Sequence, residues 1–154
     1  MDVDRLATRL NPVVAWILRS PLHPLLSRGL MLLVYTGRRS GRRYAIPVGY
    51  QQSGGVVTVL ASRARRKGWW RNFCAPAPVE LHVRGRVLHG EARLVPAGGD
   101  EFRAAFETSF RRLPRLAGQF GIAYDRSRGI TPEQWHALAE EGAVVKVALS
   151  AEPP

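Results

Sequence analysis

The chain has 154 residues, enough for one ordinary domain with a full core. Its 45% apolar and 23% charged content is that of a globular protein and excludes a disordered chain. The net charge of +11 is almost all arginine, since only Lys67 and Lys146 are lysines, so an anionic partner would meet planar guanidinium forks rather than point charges.

A GC-rich genome would account for the Arg-to-Lys ratio. It would not explain why Arg38, Arg39, Arg42, Arg43, Arg63, Arg65 and Arg66 fall in two neighbouring loops. The single cysteine, Cys74, excludes a disulfide framework within the chain and fits a reducing compartment. Between Phe73 and Ala75 it reads more simply as a small core residue than as a catalytic thiol. No signal-peptide pattern opens the chain. The longest apolar runs, Val13 to Leu18 and Leu30 to Tyr35, are too short to span a bilayer. The expected location is the cytoplasm.

In chain order, Asn11-Pro12 and Ser20-Pro21 each set a helix N-cap before a proline. Leu10, Val13, Val14, Ile17 and Leu18 keep helical spacing, so residues 4–19 are expected as one or two helical pieces. A shorter piece with Leu22, Leu25 and Leu26 follows. With Arg5, Arg9 and Arg19 among the apolar positions, this segment reads as a helix capping the sheet with a solvated basic face. The functional alternative is peripheral contact with an anionic membrane surface. Leu30 to Tyr35 is a strand buried on both faces, and Gly37 and Gly41 bracket a turn. The next strand, Tyr44 to Gln51, puts Tyr44, Ile46, Val48 and Tyr50 on one face and Ala45, Pro47 and Gly49 on the other. The large set is expected in the core, and Pro47 marks an edge or bulge.

Ser53-Gly54-Gly55 turns the chain into a strand over Val56 to Ala61. A second basic loop, Arg63 to Lys67, leads to a short helix around Trp69 to Ala75. Val79, Leu81 and Val83 form one face of a half-exposed strand, and Arg84-Gly85-Arg86 turns it into Val87 to Val95. Phe102, Phe106 and Phe110 lie at helical spacing and form a core stripe, broken off by Pro114. Thr131-Pro132-Glu133-Gln134 is a capping box opening a helix with Trp135 and Leu138. Ala143 to Leu149 is a final apolar strand. The pattern is α+β: about six antiparallel strands that close into a barrel, with helices at the start and on the periphery. Residues 1–150 are expected as one domain and 151–154 as a frayed tail.

The residues exclude much chemistry. His23, His82, His89 and His136 show no metal-ligand spacing, so no metal is expected. A pairing of Val83 with Val87 would point His82 and His89 to opposite faces. No nucleophile elbow, Walker loop or dinucleotide fingerprint is present, and close carboxylates are few. What remains is binding. The Arg38–Arg43 turn, with Ser40 and backbone amides beside two glycines, suits phosphate, although a solvated hairpin tip would look the same. Trp69 and Trp70 are adjacent and cannot share one face, so one packs inward while the other can flank a planar ring. Asn72 offers a donor and an acceptor, either to the backbone or to a heterocycle.

Tyr35-Thr36-Gly37-Arg38-Arg39-Ser40-Gly41, then Ile46-Pro47-Val48-Gly49-Tyr50, Val59-Leu60-Ala61-Ser62 and Trp69-Trp70-Arg71-Asn72-Phe73, taken together, resemble the deazaflavin-dependent nitroreductase family. The resemblance covers residues 10–95 well and the rest loosely. It implies a split-barrel, flavin-reductase-like fold and coenzyme F420, whose reduced form passes a hydride to quinones, nitroaromatics or other activated acceptors. By that analogy Arg38, Arg39 and Ser40, helped by Arg42 or Arg43, hold the phosphate and acidic tail. Ala61 and Ser62 give backbone contacts to the ring, and Trp69, with Trp70, and Asn72 flank it. The loop between Ala61 and Trp69 is shorter than is usual in that family. Family members also place tyrosines late in the chain, and here only Tyr124 follows Tyr50, which makes it the candidate proton donor.

The alternatives stay on the same barrel: FMN in place of F420, or a non-catalytic protein carrying F420, FMN, haem or lipid. The charge and aromatics also suggest a nucleic-acid module, but the cations fall in two loops rather than striping a sheet face, so nucleic acid is not the expected partner. A small-molecule acceptor is. The apolar strands would also allow a homodimer, which split barrels commonly form.

Overall fold

The computed structural model describes residues 29–151. The helices expected over 4–19 and around Leu22 to Leu26, with their membrane alternative, lie outside the described residues. The elements are β1 (Leu30–Thr36), β2 (Arg43–Gly49), β3 (Gln51–Ser53), β4 (Val56–Ala61), a 3₁₀ segment (Trp69–Phe73), β5 (Ala77–Val83), β6 (Arg86–Val95), α1 (Asp100–Arg112), a second 3₁₀ segment (Pro114–Phe120), α2 (Pro132–Glu141) and β7 (Ala143–Leu149). Among the described residues no helix is long and apolar enough to cross a membrane.

All seven strands join one antiparallel sheet in the order β2-β1-β5-β6-β7-β4-β3. Its two edge strands, β2 and β3, follow each other in sequence with only Tyr50 between them. At about 4.8 Å per strand, a flat sheet would hold those edges roughly 29 Å apart. The chain from Gly49 to Gln51 spans at most about 7 Å. The sheet therefore curls until its edges meet, and the barrel is closed by covalent connection. The expected six strands become seven for the same reason: the run Tyr44 to Gln51 is cut at Tyr50, and its end crosses to the far edge. Pro47, which has no N–H to donate, sits on edge strand β2 as its chemistry requires.

The barrel interior is filled by Met31, Leu33, Tyr35, Val57, Val59, Phe73, Val79, Leu81, Ala92, Val145 and Val147. β1 is buried throughout Met31 to Tyr35, as its unbroken apolar run dictates. Outside the barrel, α1 lays Phe102, Phe106 and Phe110, all fully buried, with Val95, Leu138 and Val144. α2 opens with the expected capping box. The Gln134 N–H donates to Thr131 Oγ1 at 3.2 Å, and Gln134 Oε1 accepts from the Thr131 N–H at 3.0 Å.

One register differs from expectation. Arg84 and Gly85 both take positive φ, 51° and 72°, so they form a two-residue turn and Val83 pairs with Arg86 rather than with Val87. A slip of one residue flips a face. His82 and His89 consequently share the outer face, with Glu80, which pairs directly with His89.

Candidate functional site

β1 ends at Thr36 and the chain reverses within residues 37–42. The Gly37 N–H donates to the Arg42 carbonyl at 2.7 Å, and the Gly41 N–H donates to the Gly37 carbonyl at 2.9 Å. Gly41 is left-handed, with φ 68°. Gly37 is needed for space, because a Cβ there would lie 2.8 Å from both Ser40 Oγ and Tyr44 Cε2. Ser40 Oγ accepts the Arg42 N–H at 3.2 Å and lies 3.2 Å from the Tyr44 hydroxyl. The tip thus presents Arg38, Arg39 and a held Ser40 hydroxyl.

The opposite wall is the first 3₁₀ segment. Because β5 runs antiparallel to β1, with Val34 opposite Glu80, the residues that lead into β5 arrive beyond the end of β1, beside the turn. Asn72 fastens the two together. Its Oδ1 accepts the Arg38 N–H at 2.8 Å and its Nδ2 donates to the Trp69 carbonyl at 2.8 Å. Both ends of this amide are used on backbone. The tryptophans divide: Trp69 lines the cleft, while the Trp70 Nε1–H donates to the Ala64 carbonyl at 2.8 Å. An aromatic row runs Tyr44, Tyr35, Phe73, Trp69, with successive ring centroids 5.6, 5.7 and 6.3 Å apart. Burial, and secondarily Tyr44, raises the Tyr35 pKa, so its phenol stays protonated.

Between turn and segment lies a cleft of about 330 Å³, at the lower end of small-molecule sites. Arg38, Arg39, Arg71, Ser40 and Asn72 line it together with Tyr35, Tyr44 and Trp69. No described lining residue is acidic. The lining fits a ligand that carries both an anionic group and a flat ring.

The other expected site residues stand apart from this cleft. Arg43 pairs with Glu80 at 3.0 Å on the outer face, and Arg42 is exposed without lining the cleft. Ala61 is buried beneath both tryptophans, and Ser62 Oγ receives Lys67 Nζ at 3.5 Å. The second basic loop turns away. The Ala64 N–H donates to the Glu141 carbonyl at 2.9 Å, and Arg65 lies 3.9 Å from Glu140 and from Glu141. Tyr124 packs edge-on against Phe110 at 5.6 Å in the α1 cluster. Sequence reasoning missed Tyr35, Tyr44 and Arg71 as lining residues. The turn length held the signal, since a reversal over 37–42 pairs Tyr35 with Tyr44 directly. Among the described residues no three His, Cys, Asp or Glu side chains gather as a metal site.

The model of the F420H(2)-dependent quinone reductase family matches residues 22–118. The chain belongs to this family. The matched span holds the whole cleft and stops short of Tyr124. As a member, the protein is an F420-dependent oxidoreductase, and its curled sheet is the split barrel. A solved F420-H2 dependent reductase, FDR-A, is 21% identical, with 78% of this chain and 94% of that one covered at a TM-score of 0.54. A domain-swapped dimer is 20% identical over 89% and 99%, at 0.52. HutZ, the haem storage protein of Vibrio cholerae, is 12% identical over 94% and 92%, at 0.53. At these identities the solved structures speak for the fold alone. No curated protein matches the chain.

Proposed function

We propose that the cleft between the Gly37–Arg42 turn and the Trp69–Phe73 segment holds F420, and that the reducing equivalents go to a quinone, a nitroaromatic or a similarly activated acceptor. Arg38, Arg39 and the Ser40 hydroxyl would take the phosphate and acidic tail through charge-assisted hydrogen bonds. Trp69 and the tyrosines would flank the ring. The observation that carries this reading is the gathering of Arg38, Arg39, Ser40 and Trp69 on one acid-free cleft.

When bound, the reduced deazaflavin supplies the hydride. The chain's own work is to bind, orient and exclude water. Asn72 keeps the turn against the aromatic wall. The proton role expected of Tyr124 passes to Tyr44, whose hydroxyl borders the cleft and is hydrogen-bonded to Ser40. Pairing of two chains belongs to the same reading, with the domain-swapped dimer among the solved neighbours as its support. Light scattering tests it.

Tryptophan quenching by F420, FMN, haem and single-stranded DNA, each titrated separately, tests the ligand. Quenching by F420 at low micromolar concentration, reversed by Arg38→Ala or Arg39→Ala more strongly at low salt than at high salt, is expected. Unchanged binding in both variants at low salt would remove the phosphate assignment.

A further inference from the structure

We propose a second, anion-binding site in the groove between α1 and the outer face of β3 and β4, a cavity of about 330 Å³ that shares no lining residue with the cleft. The starting point is Ser109. It is 2% exposed, the one buried polar side chain among the described residues, on a helix whose neighbouring buried positions are Phe and Ala. A buried hydroxyl costs stability unless it is bonded. Ser109 Oγ donates to Gln51 Oε1 at 3.2 Å. With Oε1 taken by Ser109, the Gln51 NH₂ group has no partner among the described residues. Gln51 lines the groove.

The rest of the lining has the same character. Arg112 from α1 and Lys146 from β7 reach the groove, and neither forms a hydrogen bond or ion pair among the described residues. Glu101, a carboxylate whose field includes Lys146, is already taken by Arg93 through bonds of 2.6 and 3.0 Å. Thr58 and Thr108 add hydroxyls that can donate, and no described lining residue carries a carboxylate. In the sheet, Gln51 pairs with Thr58 and Thr58 with Lys146, so the amide, hydroxyl and ammonium stand in one row across three strands. An oxyanion, phosphate or carboxylate, is the ligand that a surface of donors with two uncommitted cations accepts.

The test is residue-resolved NMR of the full chain, titrated with inorganic phosphate and, separately, with glutarate, against chloride at equal ionic strength. The expected result is a saturable shift of the Gln51 side-chain amide and the Thr108 backbone amide by one of the two probes, with a Kd on the order of 1 mM. Arg112→Gln and Lys146→Gln should each raise that Kd about tenfold, one charge-assisted hydrogen bond. Gln51→Glu, which replaces the amide donor with a carboxylate, should abolish the shift at Thr108 while the melting temperature stays near wild type. Three results would overturn the site: equal shifts with chloride, saturation at Gly37 and Ser40 with Thr108 unmoved, or unaltered binding in Gln51→Glu.

Discussion

Gly37→Ala isolates the link between turn shape and cofactor grip. The new Cβ would stand 2.8 Å from Ser40 Oγ and from Tyr44 Cε2, and ordinary contact begins at 3.4 Å. Ser40, Tyr44 or the turn itself must therefore yield by about 0.6 Å on each side. Tyr44 is 40% exposed, so its ring can swing outward. In doing so it gives up the 3.2 Å contact with Ser40 and its stack on Tyr35. Because the ring has somewhere to go, the stability cost falls at the low end of overpacking, about 1–2 kcal/mol, or a melting shift of roughly 3–6 °C in a domain of this size. The binding cost is larger. If the displaced turn loses one charge-assisted hydrogen bond to the cofactor's phosphate, about 1.5–3 kcal/mol goes, and the F420 Kd rises roughly 10- to 100-fold.

Gly41→Ala is the internal control. It changes the same residue type in the same turn, but nothing lies within 4 Å of its Cβ and its cost is left-handed strain alone, with φ 68°. That strain is about 1–2 kcal/mol, so the two variants should melt alike. F420 titrations followed by tryptophan fluorescence, beside thermal melts, separate them, because only Gly37→Ala should bind poorly. If Gly37→Ala binds F420 within twofold of wild type, the turn does not grip the cofactor through Ser40 and the reasoning fails.

Further outcomes follow from single contacts. Asn72→Ala strips the acceptor from the Arg38 N–H and the donor from the Trp69 carbonyl. It should cost about 1–2 kcal/mol of stability and weaken F420 more than Asn72→Asp, which keeps the acceptor; calorimetry reads both. Trp69→Ala should lower F420 affinity more than Trp135→Ala, since Trp135 packs in the α1 cluster; equal losses would make Trp69 merely structural. Gly90→Ala would put a Cβ 2.6 Å from the Ala148 carbonyl oxygen and 2.7 Å from Val147 Cγ1. Backbone cannot swing aside, so the loss should reach about 3 kcal/mol or more, visible as a fall in the denaturation midpoint without change in F420 stoichiometry. His82 is held below its ordinary pKa by burial first, and also by Arg43 and His89, against the pull of Glu80. The folded state therefore prefers it neutral. Stability is complete above about pH 6.5, the unfolded value, and declines as pH falls toward the lower folded pKa. His82→Gln should flatten that decline in denaturation series from pH 7.5 to 5; an unchanged slope would place its origin elsewhere.

What the sequence revealed and what it hid divide along a physical line. Periodicity and caps are local. The double-sided burial of β1, the Phe102–Phe110 stripe and the Thr131 capping box follow from residues within a few positions of one another, and each appears as expected. The turn over 37–42 also declares itself through Gly37 and Gly41. The hairpin at Arg84-Gly85 does not, because a non-glycine residue at positive φ gives no compositional warning, and the one-residue register difference that results puts His82 and His89 on the same face rather than on opposite ones. Tyr44 was expected in the core by alternation with Ile46 and Val48. Those two do pack inward, while Tyr44, at the strand's end, goes to the cleft.

The second basic loop shows why charge alone misleads about sites. By sequence it matches the first, with four cations over residues 63–67. Its backbone is committed elsewhere: Ala64 is buried, its N–H held by Glu141 and its carbonyl by Trp70. That commitment turns Arg65 toward the acidic end of α2. Among the described residues the first turn is free of such ties except one, the Asn72 bond that crosses 34 residues of sequence. That bond exists because β5 chooses β1 as its partner and skips β2, β3 and β4. Strand pairing of this range is set by the closing of the whole barrel, which no window of sequence contains. The cleft's ingredients are therefore local and legible, and their meeting is a property of topology. A turn peptide spanning 34–45, which carries every arginine assigned to the tail, should on this argument prefer F420 over phosphate-free deazaflavin far less than the protein does. Selectivity in the isolated peptide equal to that of the protein would mean that the arginines bind as a loose charge cluster and that the aromatic wall and the Asn72 clasp are dispensable.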